Sequence, residues 1–85
     1  MTLEESIKRH EGLRLKPYRC TSQKTTIGYG RNIEDVGINK TEALFMLNTD
    51  IENCKQEAEM NFWFYENLNQ DRKDVVVEMI FNLGL

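Results

Sequence analysis

The chain has 85 residues, room for one compact unit that buries a smaller share of its surface than a full-sized domain does. Its 40% hydrophobic and 29% charged residues exclude a disordered or fibrous chain, and a net charge of -3 argues against nucleic acid, whose phosphates demand a basic surface. No apolar run approaches the ~20 residues that span a bilayer, and "MTLEESIKRH" carries acids where a secretory leader is basic and then apolar, so a cytoplasmic product is expected, with Cys20 and Cys54 as thiols.

Thr2 and Glu5 have the form of a capping box, and Leu3, Ile7 and His10 fall on one stripe, so residues 3 to 11 read as a short helix stopped by Gly12. Glu11 then stands in the last turn, where the negative end of the helix dipole faces its carboxylate. "IKRH" and "RLKPYR" make this part of the chain locally basic, a solvated face in the ordinary reading and a surface for an anionic polymer in the other. From Leu15 to Arg31 the pattern suits a β-hairpin, with "TSQK" as its turn. Cys20 and Thr26 lie opposite each other only if the loop has five residues, Thr21 to Thr25; a four-residue loop puts them on opposite faces. Gly28 and Gly30 flank Tyr29 in "IGYG", where paired glycines signal either a bulge or a close approach by a ligand.

Asn39 and Glu42 repeat the capping-box pattern, and Leu44, Leu47, Ile51, Cys54 and Ala58 keep a 3,4,3,4 spacing, which predicts a long helix over roughly 40 to 59. "NFWFYENL" follows, read as a turn whose rings pack under that helix rather than as a sugar-stacking platform. A third helix is predicted from about Asn69, with Val76, Met79, Ile80 and Leu83 on one side and Gly84 as its cap. Its apolar face, together with Leu85, expects a partner surface, and self-association is one way to supply it.

A glutamate at a helix end beside apolar residues suits the general acid that cleaves a glycosidic bond, though most such glutamates are simply solvated. The partner in a glycosidase is normally a second carboxylate, and the hairpin offers Cys20 instead. An ordinary thiol, with a pKa near ~8.5, is only a few per cent thiolate at neutral pH, and a free cysteine is most often a small buried hydrophobe. Thr26 has a hydroxyl able to hold a water, although strand threonines are common for packing reasons. A thiol-dependent hydrolase needs a histidine beside the cysteine; His10 adjoins Glu11 but points away from it, which favours a structural role.

The stretch "HEGLRLKPYRCTSQKTTIGYGRN" resembles the signature of the phage lysozymes, glycoside hydrolase family twenty-four. The similarity lies in a helix-end Glu in an "EGLRLKxY" setting, eight intervening residues, an Asp or Cys, five more, and a Thr opening "TIGYG". The resemblance implies an α+β lysozyme-like fold: an N-terminal helix, a small antiparallel hairpin sheet, a long inter-lobe helix and a helical second lobe. It implies Glu11 as general acid, Cys20 in the usual carboxylate position as base, nucleophile or support, Thr26 as the residue that places water, and Tyr29 and Gly30 against the substrate. "INKTEALFMLNTDI" is similar to the inter-lobe helix and "VVVEMIFNLGL" to the first core helix of the second lobe, so residues 1–60 are expected to form the catalytic-motif lobe with its connecting helix, and 61–85 the start of an incomplete second lobe.

A muramidase acting on the β-1,4 bonds of bacterial peptidoglycan is the activity so implied, without metal or cofactor. Family members continue for roughly as long again through the far wall of the cleft, so weak or absent turnover is expected of this chain alone. The competing expectation is a non-catalytic remnant that associates or binds glycan. Gln23 departs from the family, which often has glycine in the hairpin loop; a positive φ there would strain the loop and move the register of Cys20 against Thr26.

Overall fold

In the computed structural model, which describes residues 1–84, helix α1 spans Leu3–Glu11. Thr2 caps it by accepting from the Glu5 amide at 3.1 Å, and its hydroxyl donates to the Glu5 carboxylate at 3.1 Å. Gly12, at φ 70°, ends the helix and returns its N–H to Lys8 O at 2.9 Å. Lys8, Arg9 and His10 complement the dipole in the last turn. The His10 ring donates from Nδ1 to Ser6 O at 2.8 Å, the structural role its position suggested.

Three strands follow, β1 (Arg14–Arg19), β2 (Thr25–Gly28) and β3 (Arg31–Asn32), in one antiparallel sheet of order β1-β2-β3. The β1–β2 register pairs Tyr18 with Thr26 and Arg19 with Thr25, then slips before Arg14 meets Gly28. Pro17 lies in the slipped stretch, where it has no N–H to give the ladder. Strand β3 goes beyond the expected hairpin: two residues give too short an alternation to read, and the strand exists because the Gly28–Gly30 turn folds the chain back so that Asn32 pairs with Thr26.

The β1–β2 loop corrects the expected five residues. Arg19 pairs with Thr25, the Cys20 amide donates to Lys24 O at 3.0 Å, and the Gln23 amide donates to Cys20 O at 2.8 Å, which leaves Thr21, Ser22 and Gln23 as a three-residue loop. Gln23 takes φ 64°, the left-handed residue that closes such a loop. Shortening by two keeps parity, so Cys20 and Thr26 still share a face, as diagonal rather than direct neighbours.

Helix α2 runs Lys40–Asn61, a 3-10 turn covers Tyr65–Asn67, and helix α3 runs Gln70–Leu83. Asn69 caps α3 by accepting from the Arg72 amide at 2.9 Å, and Gly84, in the left-handed region, donates to Ile80 O at 3.1 Å. Ala58, Tyr65, Val77 and Ile80 are buried, with Ile51, Cys54, Phe62, Leu68 and Val76 packed against them. Ala58 is fully covered; its small side chain sits where α2 meets α3.

The apolar stripes of α2 and α3 are only partly covered. On α2 only Ile51, Cys54 and Ala58 of the apolar stripe reach the core, while Leu44 and Leu47 remain 49% and 40% exposed. On α3 the buried pair is Val77 and Ile80; Met79 and Leu83 point to solvent at 56% and 66% exposure. Of the aromatic run, Tyr65 is buried and Phe62 half-buried, but Trp63 and Phe64 are 88% and 38% exposed. Leu85 lies outside the described residues.

The chain forms two compact units rather than one, Met1–Asn39 and Lys40–Leu85. The apolar core lies wholly in the second, whereas the buried residue of the first is polar, Thr26, 2% exposed. Among the described residues no helix is long and apolar enough to cross a membrane. Both cysteines are free thiols.

Candidate active site

Glu11 is the last residue of α1 and is exposed to solvent. Its carboxylate rests on the Gly28–Gly30 turn: a Cβ built on Gly30 would stand 2.6 Å from Glu11 Oε2 and 3.0 Å from its Cδ. Gly30 also holds φ 80°, so two independent constraints select glycine, the backbone conformation and the space the carboxylate occupies. The approach hinted at by the paired glycines is therefore made by the chain's own glutamate. Tyr29, at the tip of the turn, is 43% exposed and has the Lys8 ammonium over its ring at 5.6 Å. Tyr29, Leu3 and Ile7 line a hollow of ≈ 410 Å³ with Glu4 and Lys8.

Cys20 and Thr26 are brought together on the sheet. The Thr26 hydroxyl donates to Lys24 O at 2.9 Å, and Cys20 Sγ lies 3.0 Å from the Ser22 hydroxyl. The half-buried thiol is pulled down to about 7, chiefly by the Ser22 hydroxyl, then by the Thr26 hydroxyl and the Lys24 and Ser22 backbone; burial opposes them weakly. This corrects the expectation of an ordinary, mostly protonated thiol. Ser22 is the residue the sequence reading missed. The available signal was its place two residues beyond Cys20 in a loop that, at three residues, folds i and i+2 onto one side.

Thr26 and Gly30 are four residues apart, so their α-carbons are separated by at most roughly 14 Å even if the chain were straight. The turn makes it less. The Glu11 carboxylate, seated on Gly30, and the Cys20–Thr26 pair thus belong to neighbouring points on β2 and its turn. No His, Cys, Asp or Glu cluster suited to a metal ion occurs among the described residues. A second hollow, of ≈ 490 Å³, lies between α2 and α3 against Leu47, Ile51, Val77 and Phe81, and neither Glu11, Cys20 nor Thr26 lines it.

The lower edge of the sheet is tied by charge. The Lys24 ammonium bridges Glu34 at 3.6 Å and Asp35 at 3.4 Å, and Glu34 also accepts from the Thr25 amide and hydroxyl at 3.3 and 3.1 Å. Exposed pairs of this kind are individually worth under ~1 kcal/mol, so their effect here is to fix β2 between its neighbours rather than to stabilise the unit strongly.

This arrangement of glutamate, cysteine and threonine lies inside a recognised family segment: a family model described as Phage lysozyme matches residues 8–85. The chain belongs to the phage lysozyme family. It is 39% identical over 83 residues to the endolysin of Acyrthosiphon pisum secondary endosymbiont phage 1, covering 93% of this chain and 55% of that endolysin. The chain therefore spans little more than half the length of this endolysin. Three helices and a three-stranded antiparallel sheet agree with the α+β fold that the family implies.

Proposed function

We propose that the chain carries the catalytic motif of a muramidase that hydrolyses the β-1,4 bond between N-acetylmuramic acid and N-acetylglucosamine in peptidoglycan. The observation that carries this reading is the contact of Cys20 with Thr26 on the strand that leads into the turn against which the Glu11 carboxylate rests, at the family's own spacing. Glu11 donates its proton to the leaving sugar oxygen. Thr26 holds the attacking water, and Cys20 as thiolate takes the water's proton while the water oxygen bonds to the anomeric carbon. Tyr29 and Gly30 flank the sugar.

On this reading residues 1–60 act as the catalytic-motif lobe with its connecting helix and 61–85 as the start of a helical second lobe. The protein is made in the cytoplasm and meets the wall after release. The test is release of new reducing ends from purified cell walls, by this chain and by a version extended with the C-terminal half of its endolysin relative. Glu11→Gln lowers the rate at least about 100-fold in whichever form is active. Equal rates with and without the Glu11→Gln substitution sink the assignment.

A second reading is favoured by a specific face: Val75, Met79 and Leu83, one stripe of α3 at i, i+4, i+8, are 55%, 56% and 66% exposed. On that reading the chain is a non-catalytic module that associates with itself through α3. Sedimentation decides it, since a monomer at all accessible concentrations removes the idea.

A further inference from the structure

We propose that Ser22 is a positioning residue for Cys20: its hydroxyl, 3.0 Å from Sγ, donates to the sulfur and holds it as a thiolate beside Thr26. What Ser22 does to the sulfur follows from the loop; what that does for hydrolysis rests on the muramidase reading.

The loop geometry leaves Ser22 little choice. The Cys20 amide is bonded to Lys24 O at 3.0 Å and Cys20 O accepts from the Gln23 amide at 2.8 Å, so the turn closes on the Cys20 backbone. The Arg19 guanidinium clamps the same turn from outside by donating to Gln23 O at 3.0 Å. Gln23 takes φ 64° within these bonds, and the residue before it in the loop reaches the Cys20 sulfur with its hydroxyl. Ser22 is that residue.

Counting protons then separates the two hydroxyls near the sulfur. A hydroxyl has one proton, and that of Thr26 is given to Lys24 O at 2.9 Å. Thr26 so committed is the lesser of the two hydroxyls in favouring the thiolate, and it lowers the thiol less than Ser22 does. The Ser22 hydroxyl has no other hydrogen-bond partner among the described residues, so its proton is available to the sulfur. The contact reverses with ionisation: the thiol donates to Ser22, and Ser22 donates to the thiolate.

The charged groups around the loop do not replace this donor. Arg19, on β1, is bonded to Gln23 O; Lys24, on the approach to β2, faces Glu34 and Asp35; Glu11, at the end of α1, rests on Gly30. The lowering of the thiol to about 7 has the Ser22 hydroxyl as its largest cause, in agreement with the proton count. Near pH 7 about half the sulfur is then thiolate, against a few per cent for an ordinary thiol at ~8.5.

In the reaction this supplies a base where the family usually has a carboxylate. The thiolate accepts one proton from water as the water oxygen bonds to the anomeric carbon; the glycosidic electron pair leaves on the oxygen that takes the Glu11 proton. Cys20 ends as a thiol and Glu11 as a carboxylate. Exchange with solvent resets both.

The experiment is the pH dependence of iodoacetamide alkylation of the 85-residue chain, read separately at Cys20 and Cys54 by mass spectrometry. Cys20 is expected to react with a midpoint near about 7. Ser22→Ala raises that midpoint by about one pH unit, and Ser22→Thr, which restores a hydroxyl, returns it. Ser22 is exposed, so the folded content by circular dichroism is expected to be unchanged. A midpoint that Ser22→Ala leaves in place, or that Ser22→Thr fails to restore, overturns the proposal. Wall hydrolysis by Cys20→Ala is measured alongside: an unaffected rate overturns the role of Cys20 in the muramidase, while the alkylation midpoint still reports on Ser22.

Discussion

Residues 1–39 and 40–85 are held together by different forces. In the first unit α1 buries no residue, the buried side chain is that of Thr26, and the sheet is fixed by backbone pairing, a tight loop and the Lys24–Glu34–Asp35 cluster. In the second, Ala58, Tyr65, Val77 and Ile80 make an apolar core that joins α2 to α3. Charge divides the same way, with seven Lys and Arg against five Asp and Glu over residues 1–39, and four against nine over 40–85. All the proposed catalytic groups are in the basic, hydrogen-bonded unit. The difference teaches that a site which must present ionisable groups to a polar polymer is built where solvent reaches, so its geometry depends on glycines, loops and hydrogen bonds instead of on burial.

The largest effect expected on stability is in the second unit. Ile80→Ala, at 3% exposure, removes buried methylenes and costs about 3 kcal/mol. Urea unfolding followed by amide exchange should show the loss in α2 and α3, with β1 and β2 little changed. Equal loss of protection across both units would break the comparison, since it would make them one cooperative structure.

In the first unit Gly30→Ala sharpens the comparison by separating stability from chemistry. The left-handed backbone costs about 1–2 kcal/mol for an L side chain, while the new Cβ displaces the Glu11 carboxylate, now 2.6 Å from its position. Wall hydrolysis is expected to fall further than the stability change accounts for. If activity follows stability alone, Gly30 does not place Glu11.

Gln23→Gly gives the smallest effect and the opposite sign. With φ 64° the position is one a glycine adopts without strain, and a gain of under ~1 kcal/mol in β1–β2 protection is expected. No gain would mean that the Gln23 contacts to Cys20 and Arg19 already offset the strain. The pH dependence of the same loop has a fixed sign. Because the fold lowers the Cys20 thiol, its contribution to stability is complete above the unfolded pKa near ~8.5 and fades as pH falls through about 7.

Local signals in the sequence are readable where one residue decides one feature. Thr2 and Glu5 start α1, Gly12 ends it, Asn69 starts α3 and Gly84 ends it, all within a turn's reach in sequence. Faces are less legible. Periodicity puts Met79 and Leu83 on one apolar stripe of α3 and Leu44 and Leu47 on that of α2, but a stripe is buried only where a partner lies against it, and here that is around Ala58, Val77 and Ile80. The hairpin loop is shorter than its residues suggest because a non-glycine residue occupies its left-handed position, and β3 escapes notice because two residues carry no periodicity.

The sequence by itself determined the family, the α+β class and the spacing of Glu11, Cys20 and Thr26, since these depend on residue types and on parity along the chain. Only the tertiary structure decided that Glu11 rests on Gly30, that Ser22 rather than a charged group meets the sulfur, and that the core belongs to the second unit. The physical reason is that those outcomes depend on contacts made when a three-residue loop and a glycine turn close, and a one-residue change in either redirects every side chain that follows.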